Sequence, residues 1–264
     1  MLLAACSGGK GGRGDAAAAL PAVAADDSTG GAEATEAVMP TGADELFDDF
    51  IFNFASTRAL QIERTRFPLP VIGTDGKQKS IAKREWKMEP FFMRQDYYTL
   101  IFDTPEQMEL VKDTALVAVT VEKIMLTDSI VRQYAFHRDH GRWMLAQIRE
   151  QQLSHNANAQ FLSFYQQFAT DSVFQYRSLS EQIDFSGPDP DDDFARMEGV
   201  ITPDFWGAFA PELPTGILYN IVYSSQDPAS AQKIFVLRGI ANGLETELTF
   251  VLRNGHWKLT KLST

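Results

Sequence analysis

The sequence contains one cysteine, Cys6, in 264 residues, and it has no long run of apolar residues. A lone cysteine excludes an intramolecular disulfide, so a folded domain in this chain must rely on its hydrophobic core. A helix that spans a bilayer needs about 18 consecutive apolar residues. We therefore expect any link to a membrane to be an anchor and not a spanning helix.

Catalytic and nucleotide-binding motifs are also missing. The sequence has no phosphate-binding loop, no dinucleotide fingerprint and no Gly-x-Ser-x-Gly elbow. Acidic residues outnumber basic residues by 35 to 24, which gives a net charge of −11. An acidic surface repels phosphate backbones, which argues against a nucleic-acid partner. We expect no cofactor, no metal and no catalytic residue.

The single cysteine stands where a lipid anchor requires one. Residues 3–6 read Leu-Ala-Ala-Cys and match the bacterial lipobox. Small side chains let the backbone enter the signal-peptidase cleft, and the thiol of Cys6 accepts the diacylglycerol. Several acyl chains hold a protein at a bilayer far more firmly than one chain does. We predict that Cys6 is the lipid attachment site and that residues 1–5 are the remnant of a lipoprotein signal peptide.

A segment of low complexity follows the cysteine. Residues 6–42 are mostly Gly, Ala, Ser, Thr, Asp and Glu, with almost no large apolar side chain. Such a composition cannot bury enough surface to offset the entropy of ordering. We predict a flexible tether that joins the lipid to a folded body in the cell envelope, at the outer membrane, facing the periplasm or the cell surface.

The remaining sequence repeats itself at a constant shift of 114 positions. Aromatic residues, a glycine and a leucine coincide at both extremities: Phe47, Phe50 and Phe54 with Phe161, Phe164 and Phe168, and Phe136, Gly141, Trp143 and Leu145 with Phe250, Gly255, Trp257 and Leu259. Chance does not explain such agreement at one offset over this length well. The repeat predicts two tandem domains, 43–150 and 151–264.

Periodicity predicts an α+β fold for each copy. The aromatic residues that open each copy recur at three- and four-residue spacing, which is typical of an amphipathic helix. Alternating or β-branched runs indicate strands. These runs are Thr114–Met125, Ile130–His137, Trp143–Ile148, Ile217–Tyr223 and Lys233–Ile240, and Thr202–Ala210 predicts a short helix.

An opening helix, a short helix and a final hairpin with Gly-x-Trp-x-Leu together resemble a known family. Gly141-Arg142-Trp143-Met144-Leu145 and Gly255-His256-Trp257-Lys258-Leu259 are similar to the last hairpin of the nuclear-transport-factor-2-like (SnoaL-like) cone. The resemblance implies that a curved antiparallel sheet wraps around the opening helix in each of two cone-like domains. The whole pattern resembles functionally uncharacterised lipoproteins of Bacteroidetes, which implies a fold and a location.

Two polar clusters have the residue types of a metal site. His137, Asp139 and His140 lie at the end of a strand and in a turn, and we interpret them as a polar turn. The acidic run from Asp189 to Asp193 resembles a calcium loop, but it lacks the closing Glu and the central Gly, so we interpret it as a solvated loop.

Three functions remain open from the sequence. The anchor, the repeat and the lack of a shared polar constellation favour a non-catalytic module that binds a small amphipathic ligand or an envelope protein. A hydrolase or isomerase with a cavity-lining carboxylate and tyrosine site is the alternative. Its candidate residues are Asp96, Tyr97 and Tyr98, or Tyr219 and Tyr223. A structural spacer in an envelope assembly is the third possibility.

Overall fold

The computed structural model describes residues 44–189 and 191–264, without the side chains of Asp193 and Phe194. Cys6, the signal remnant 1–5 and the tether 6–42 lie outside the described residues. In the described ranges, none of the helices has the length and apolar character needed to cross a bilayer. Below, "first half" means residues 44–150 and "second half" means residues 151–264.

Each half begins with a pair of consecutive helices. In the first half, α1 buries its aromatic stripe and ends where Thr57 becomes extended. In the second half, Asp171 separates the two helices, and its Oδ1 accepts hydrogen bonds from the N–H groups of Val173 and Phe174 at 2.9 and 3.0 Å. This is the usual role of a capping aspartate. The helices are α1 (Phe47–Ser56), α2 (Arg58–Glu63), α3 (Ala159–Thr170), α4 (Ser172–Arg177) and α5 (Trp206–Phe209).

Twelve strands of the described residues form one sheet, in the order β2-β1-β6-β5-β4-β9-β3-β10-β11-β12-β7-β8. Most neighbours are antiparallel, but three pairs are parallel: β1 with β6, β3 with β9, and β12 with β7. The strands are β1 (Leu69–Ile72), β2 (Gln78–Ile81), β3 (Tyr97–Phe102), β4 (Ala118–Met125), β5 (Ile130–Asp139), β6 (Arg142–Gln152), β7 (Leu179–Asp189), β8 (Asp192–Ile201), β9 (Ile217–Val222), β10 (Gln232–Gly239), β11 (Glu245–Arg253) and β12 (His256–Ser263).

The two halves exchange a strand at the middle of this sheet. Strand β9 of the second half pairs antiparallel with β4 of the first half, and β3 of the first half pairs antiparallel with β10 of the second. The exchanged strands lie side by side, joined at Thr99 and Asn220. Each half therefore completes its portion of the sheet with a strand from the other half.

Two hydrophobic cores use opposite faces of the central strands. On β10, Ile234 and Val236 pack into the core around α1, whereas Phe235 and Leu237 pack into the core around α3. This follows from the two-residue period of a strand, which sends successive side chains to opposite faces. A strand that is buried on both faces needs a continuous apolar run, which β10 has.

The predicted shift of 114 residues recurs in the positions of the elements. Strand β10 is the range of β4 displaced by 114, and α4 is likewise α2 displaced by 114. The fold is mixed α+β with a large curved sheet, as predicted. The arrangement as two tandem domains is not confirmed, because all twelve strands belong to one sheet.

Candidate functional site

Two carboxylates bind tyrosines from both halves on the side of the sheet that faces α1. Asp48 of α1 accepts hydrogen bonds from Tyr98 and Tyr223, and it forms an ion pair with Arg238 at 3.0 Å. Burial raises the pKa of the Asp48 carboxyl, against the lowering effect of its hydrogen bonds and of Arg238. Burial also raises the pKa of Tyr98 and of Tyr223. The phenols therefore stay neutral and donate.

Glu89 forms a second cluster of the same type. Tyr134 donates to its Oε2 at 2.7 Å, and Tyr219 donates to its Oε1 at 3.2 Å. Lys123 Nζ lies 3.5 Å from the Glu89 carboxylate. The backbone of Glu89 is held by Gln61, whose amide donates to the Glu89 carbonyl at 2.7 Å. Burial raises the pKa of both tyrosines. In this cluster, one carboxylate therefore accepts hydrogen bonds from two neutral phenols.

The tyrosines of the two predicted acid–base groups lie at three different places. Tyr98 and Tyr223 meet at Asp48, and Tyr219 meets Glu89. Asp96 and Tyr97 line a separate, shallow pocket of about 250 Å³ beside Pro214 to Ile217. Neither predicted group therefore shares one site: Tyr98 is at Asp48 and not in the pocket of Asp96 and Tyr97, and Tyr219 and Tyr223 bind different carboxylates.

The candidate metal residues do not assemble a metal site. Asp139 pairs with Arg66 at 2.8 Å and with the Nδ1 atom of His140 at 2.7 Å. Asp189 ends β7, and its Oδ1 accepts a hydrogen bond from the N–H of Asp191 at 2.9 Å within the turn to β8. Among the described residues, no group of three His, Cys, Asp or Glu side chains could hold a metal ion.

An open groove of about 1140 Å³ lies on the second half, between the helices and the sheet. Helices α3 and α4 contribute Gln167, Phe174 and Arg177 to its lining. It forms where β7 separates from β12: Leu179 pairs with Leu259, and pairing resumes only at Asp184 with Lys261. The skipped residues Ser180 to Gln182 and the hairpin residues Arg253 to Lys258 also line the groove. The volume is sufficient for a drug-sized molecule.

The corresponding place in the first half is bridged by ion pairs. Arg142 donates to Glu63 across it, and Arg66 donates to Asp139 at 2.8 Å. A shift of 114 replaces Glu63 by Arg177 and Arg142 by His256, and no ion pair joins this second pair among the described residues. The charges that bridge this place in the first half are therefore absent from the groove of the second half.

The first half also has a buried aspartate, Asp44, beside the place that corresponds to the groove. Asp44 accepts two hydrogen bonds from the Arg64 guanidinium, at 2.8 and 2.9 Å, and one from the N–H of Trp143. The residues at the 114 shift are Asn158 and Ser178. The Asn158 amide instead donates to Gln226 at 2.5 Å, so the residue at the position of Asp44 does not repeat its contacts.

Comparison with known proteins places this fold. The family model "Domain of unknown function (DUF4348)" matches residues 25–264. The chain belongs to the DUF4348 family. The structure of this DUF4348 chain is also similar to the crystal structure of an NTF2-like protein from Bacteroides fragilis, with a TM-score of 0.79 and 42% identity, over 86% of this chain and 98% of that chain. No curated protein matches the sequence.

These matches confirm the predicted NTF2-like fold. An NTF2-like fold is found in ligand-binding modules and in isomerase-like modules, so the fold alone does not choose between them. The groove of the DUF4348 chain was missed by sequence reasoning. A signal was present, since Glu63 and Asp139 reverse their charge to Arg177 and Arg253 at the shift of 114.

Proposed function

We propose that this DUF4348 protein is an envelope-anchored, non-catalytic binding module whose ligand occupies the second-half groove. The observation that carries the proposal is the open groove itself, at a place that ion pairs bridge in the first half. The structure has two comparable positions, and one of them has the volume and the free polar groups that a ligand needs.

The anchor and the repeat are part of the proposal. Cys6 would carry the lipid, and the segment 6–42 would let the folded body reach away from the outer membrane. We further propose that the two halves arose by duplication, and that binding was retained in the second half while the first became a structural partner. The correspondence of β4 with β10 and of α2 with α4 at one shift supports this view.

The acid–base alternative is supported by one observation, the pairing of Asp48 and Glu89 with tyrosines from both halves. Neither the groove nor the small pocket is lined by these residues. Tyr134 is 1% exposed and Tyr219 is 5% exposed. A substrate would therefore have to enter a packed interior, which favours a structural role for the tyrosines.

Native mass spectrometry of the protein purified from its own envelope tests binding in the groove. We expect a molecule to be retained by the natural protein. Gln167→Trp fills the groove from an exposed position on α3, and we expect it to reduce retention at least tenfold. The matched control is Asn53→Trp, because Asn53 is the exposed residue of α1 at the shift of 114.

Two outcomes would overturn this proposal. One is a natural protein that retains no molecule under mild extraction. The other is equal retention by Gln167→Trp and Asn53→Trp, which would place the ligand elsewhere. Acid–base catalysis would replace binding if a substrate of the cell envelope were converted by the natural protein and not by Tyr219→Phe with an unchanged melting temperature.

A further inference from the structure

We propose that the ligand of the second-half groove carries one oxyanion group, a carboxylate or a phosphate ester, which binds between Arg177 and Arg253. This inference rests on the proposed binding function and adds the chemical class of the ligand. It comes from a comparison of charges at equivalent positions in the two halves.

In the first half, each of two acidic residues is paired with an arginine across the groove position. Glu63 accepts from Arg142, and Asp139 accepts from Arg66. Asp139 and Arg142 are also opposite one another in the β5–β6 hairpin. The four charges therefore neutralise each other locally, and they leave no demand for an outside ion.

In the second half, both acidic positions hold arginine. Arg177 stands at the position of Glu63, and Arg253 stands at the position of Asp139. The positions of their first-half partners, Arg142 and Arg66, hold His256 and Ser180. Neither residue carries a negative charge that could balance a guanidinium. Arg177 and Arg253 are exposed, and neither side chain has a hydrogen bond or an ion pair among the residues that the structure describes. Two cations therefore line the groove at the positions where the first half has the carboxylates of Glu63 and Asp139.

The hairpin geometry brings the basic groups to one end of the groove. Arg253 is directly opposite His256 in the β11–β12 pair, and His256 occupies the position of Arg142, the residue that meets the end of α2 in the first half. Lys258 adds a third cation, whose Nζ donates to the carbonyls of Arg177 and Leu179 at 2.5 and 3.4 Å. An oxyanion placed here would receive charge-assisted hydrogen bonds.

The rest of the groove limits how much negative charge the ligand can carry. Glu181 and Asp184 of β7 also line it, at positions that Phe67 and Pro70 hold in the first half. These carboxylates repel a second anionic group that extends along β7. A single oxyanion on an otherwise neutral or amphipathic body fits both ends. A polyphosphate or a nucleic acid does not.

An NMR titration of the full chain with a bare anion tests this class. The probes are inorganic phosphate and acetate at low ionic strength. Exposed guanidiniums bind small anions weakly and with salt dependence. We expect saturable shifts of the Gly255 amide and the Trp257 indole, with a Kd on the order of millimolar that weakens severalfold at about 0.5 M salt. A response to acetate alone, or to phosphate alone, would identify which oxyanion the groove takes.

Two sets of variants separate this site from the overall charge of the protein. Arg177→Ser with Arg253→Ser should weaken the Kd at least tenfold. The control Arg58→Ser with Arg84→Ser removes the same charge at exposed first-half positions and should change the Kd less than twofold. Arg177→Glu with His256→Arg rebuilds the first-half bridge and should abolish the shifts while the melting temperature is kept.

The anion proposal and the binding proposal fail in different ways. If neither probe shifts Gly255 or Trp257, or if the two double-serine variants behave alike, the oxyanion inference is wrong. If the natural protein then still retains a neutral molecule that Gln167→Trp excludes, binding in the groove stands without it. If the groove-filling variant retains the molecule as well, the binding proposal itself is wrong.

Discussion

Thr99 of β3 and Asn220 of β9 lie side by side at the centre of the sheet, although 121 positions of sequence separate them. The Thr99 hydroxyl donates to the carbonyl of Tyr219 at 3.2 Å. Thr99 and Asn220 are both buried, with 1% and 0% of their surface exposed. This contact joins strands from different halves, so neither half is complete without the other.

We predict that the fragments 43–150 and 151–264 do not fold when expressed separately. Each fragment would lose the strand that pairs with β4 or with β10, and it would expose the apolar side chains of both cores. Co-expressed fragments should associate and regain the sheet. Far-UV circular dichroism and amide NMR dispersion measure the result. A well-dispersed spectrum from either fragment alone would show that the halves are independent.

Breaking the buried ion pair between Lys233 and Asp103 should be costly. The two side chains are 2% and 6% exposed, and Asp103 also accepts a hydrogen bond from the N–H of Asp227 at 2.8 Å. Lys233→Met leaves the carboxylate buried without its cation, which should lower the free energy of unfolding by about 3–5 kcal/mol. Urea denaturation measures the loss.

A second substitution serves as the control for this pair. Asp103→Asn removes the remaining charge, and its Oδ atom still accepts from Asp227. The double variant should therefore be more stable than Lys233→Met alone. If the two variants were equally stable, the loss would come from packing of the Lys233 side chain and not from the unpaired charge.

Glu122 should make the stability of the protein depend on pH. It is 3% exposed and accepts hydrogen bonds from Gln133, Asn156 and Asn220 at 2.9, 2.7 and 3.1 Å. Burial raises the pKa of the Glu122 carboxyl, against the lowering effect of these amides. The folded state then binds the proton more tightly than the unfolded state, so this group costs stability as pH rises from about 4.3 through its raised pKa.

Glu122→Gln removes that dependence. Asn220 has a buried Oδ1 atom without a partner among the described residues, and a rotated Asn220 amide would accept from the new glutamine. We expect the stability of the variant relative to the natural protein to increase between pH 4 and pH 8. Thermal unfolding at several pH values tests this, and parallel curves would show that Glu122 does not titrate in this range.

Replacement of the proposed acylation site should release the protein. Cys6→Ala removes the thiol that accepts the diacylglycerol, so we expect the variant in the soluble fraction. Membrane fractionation with detection of the intact chain measures it. Ser7→Ala is the matched control and should stay with the membrane. If Cys6→Ala stays there too, residues 3–6 are not a lipobox.

Local patterns were enough to predict part of the elements of the fold, but not β1, β2, β3, β7 or β8. The aromatic spacing that begins at Phe47 and at Phe161 predicted α1 and α3. The run Ile217–Tyr223 predicted β9 (Ile217–Val222), and Thr202–Ala210 predicted the region of the short 3₁₀ turn and α5. Hydrophobic periodicity is a property of neighbouring residues, so it can be read from the sequence without knowledge of the tertiary structure.

Partners of the strands could not be predicted in the same way. Nothing in the run of β3 or β9 distinguishes a partner in its own half from a partner in the other, because both choices satisfy the same apolar alternation. The tyrosine clusters depend on the exchange of strands between the halves. Tyr219 and Tyr223 reach Glu89 and Asp48 because β9 pairs with β4 of the first half. The absence of the bridging ion pairs from the groove likewise becomes visible only when the two halves are compared.

The single sheet also changes how many strand edges the described part of the protein presents. Two separate six-stranded sheets would have four open edges, whereas this order ends only at β2 and β8. The β2 edge is four residues long and carries Lys79, a combination that discourages pairing with a foreign strand. The β8 edge has ten residues and exposes Met197 and Val200. Aggregation by strand addition would therefore begin at β8, and Val200→Lys would suppress it.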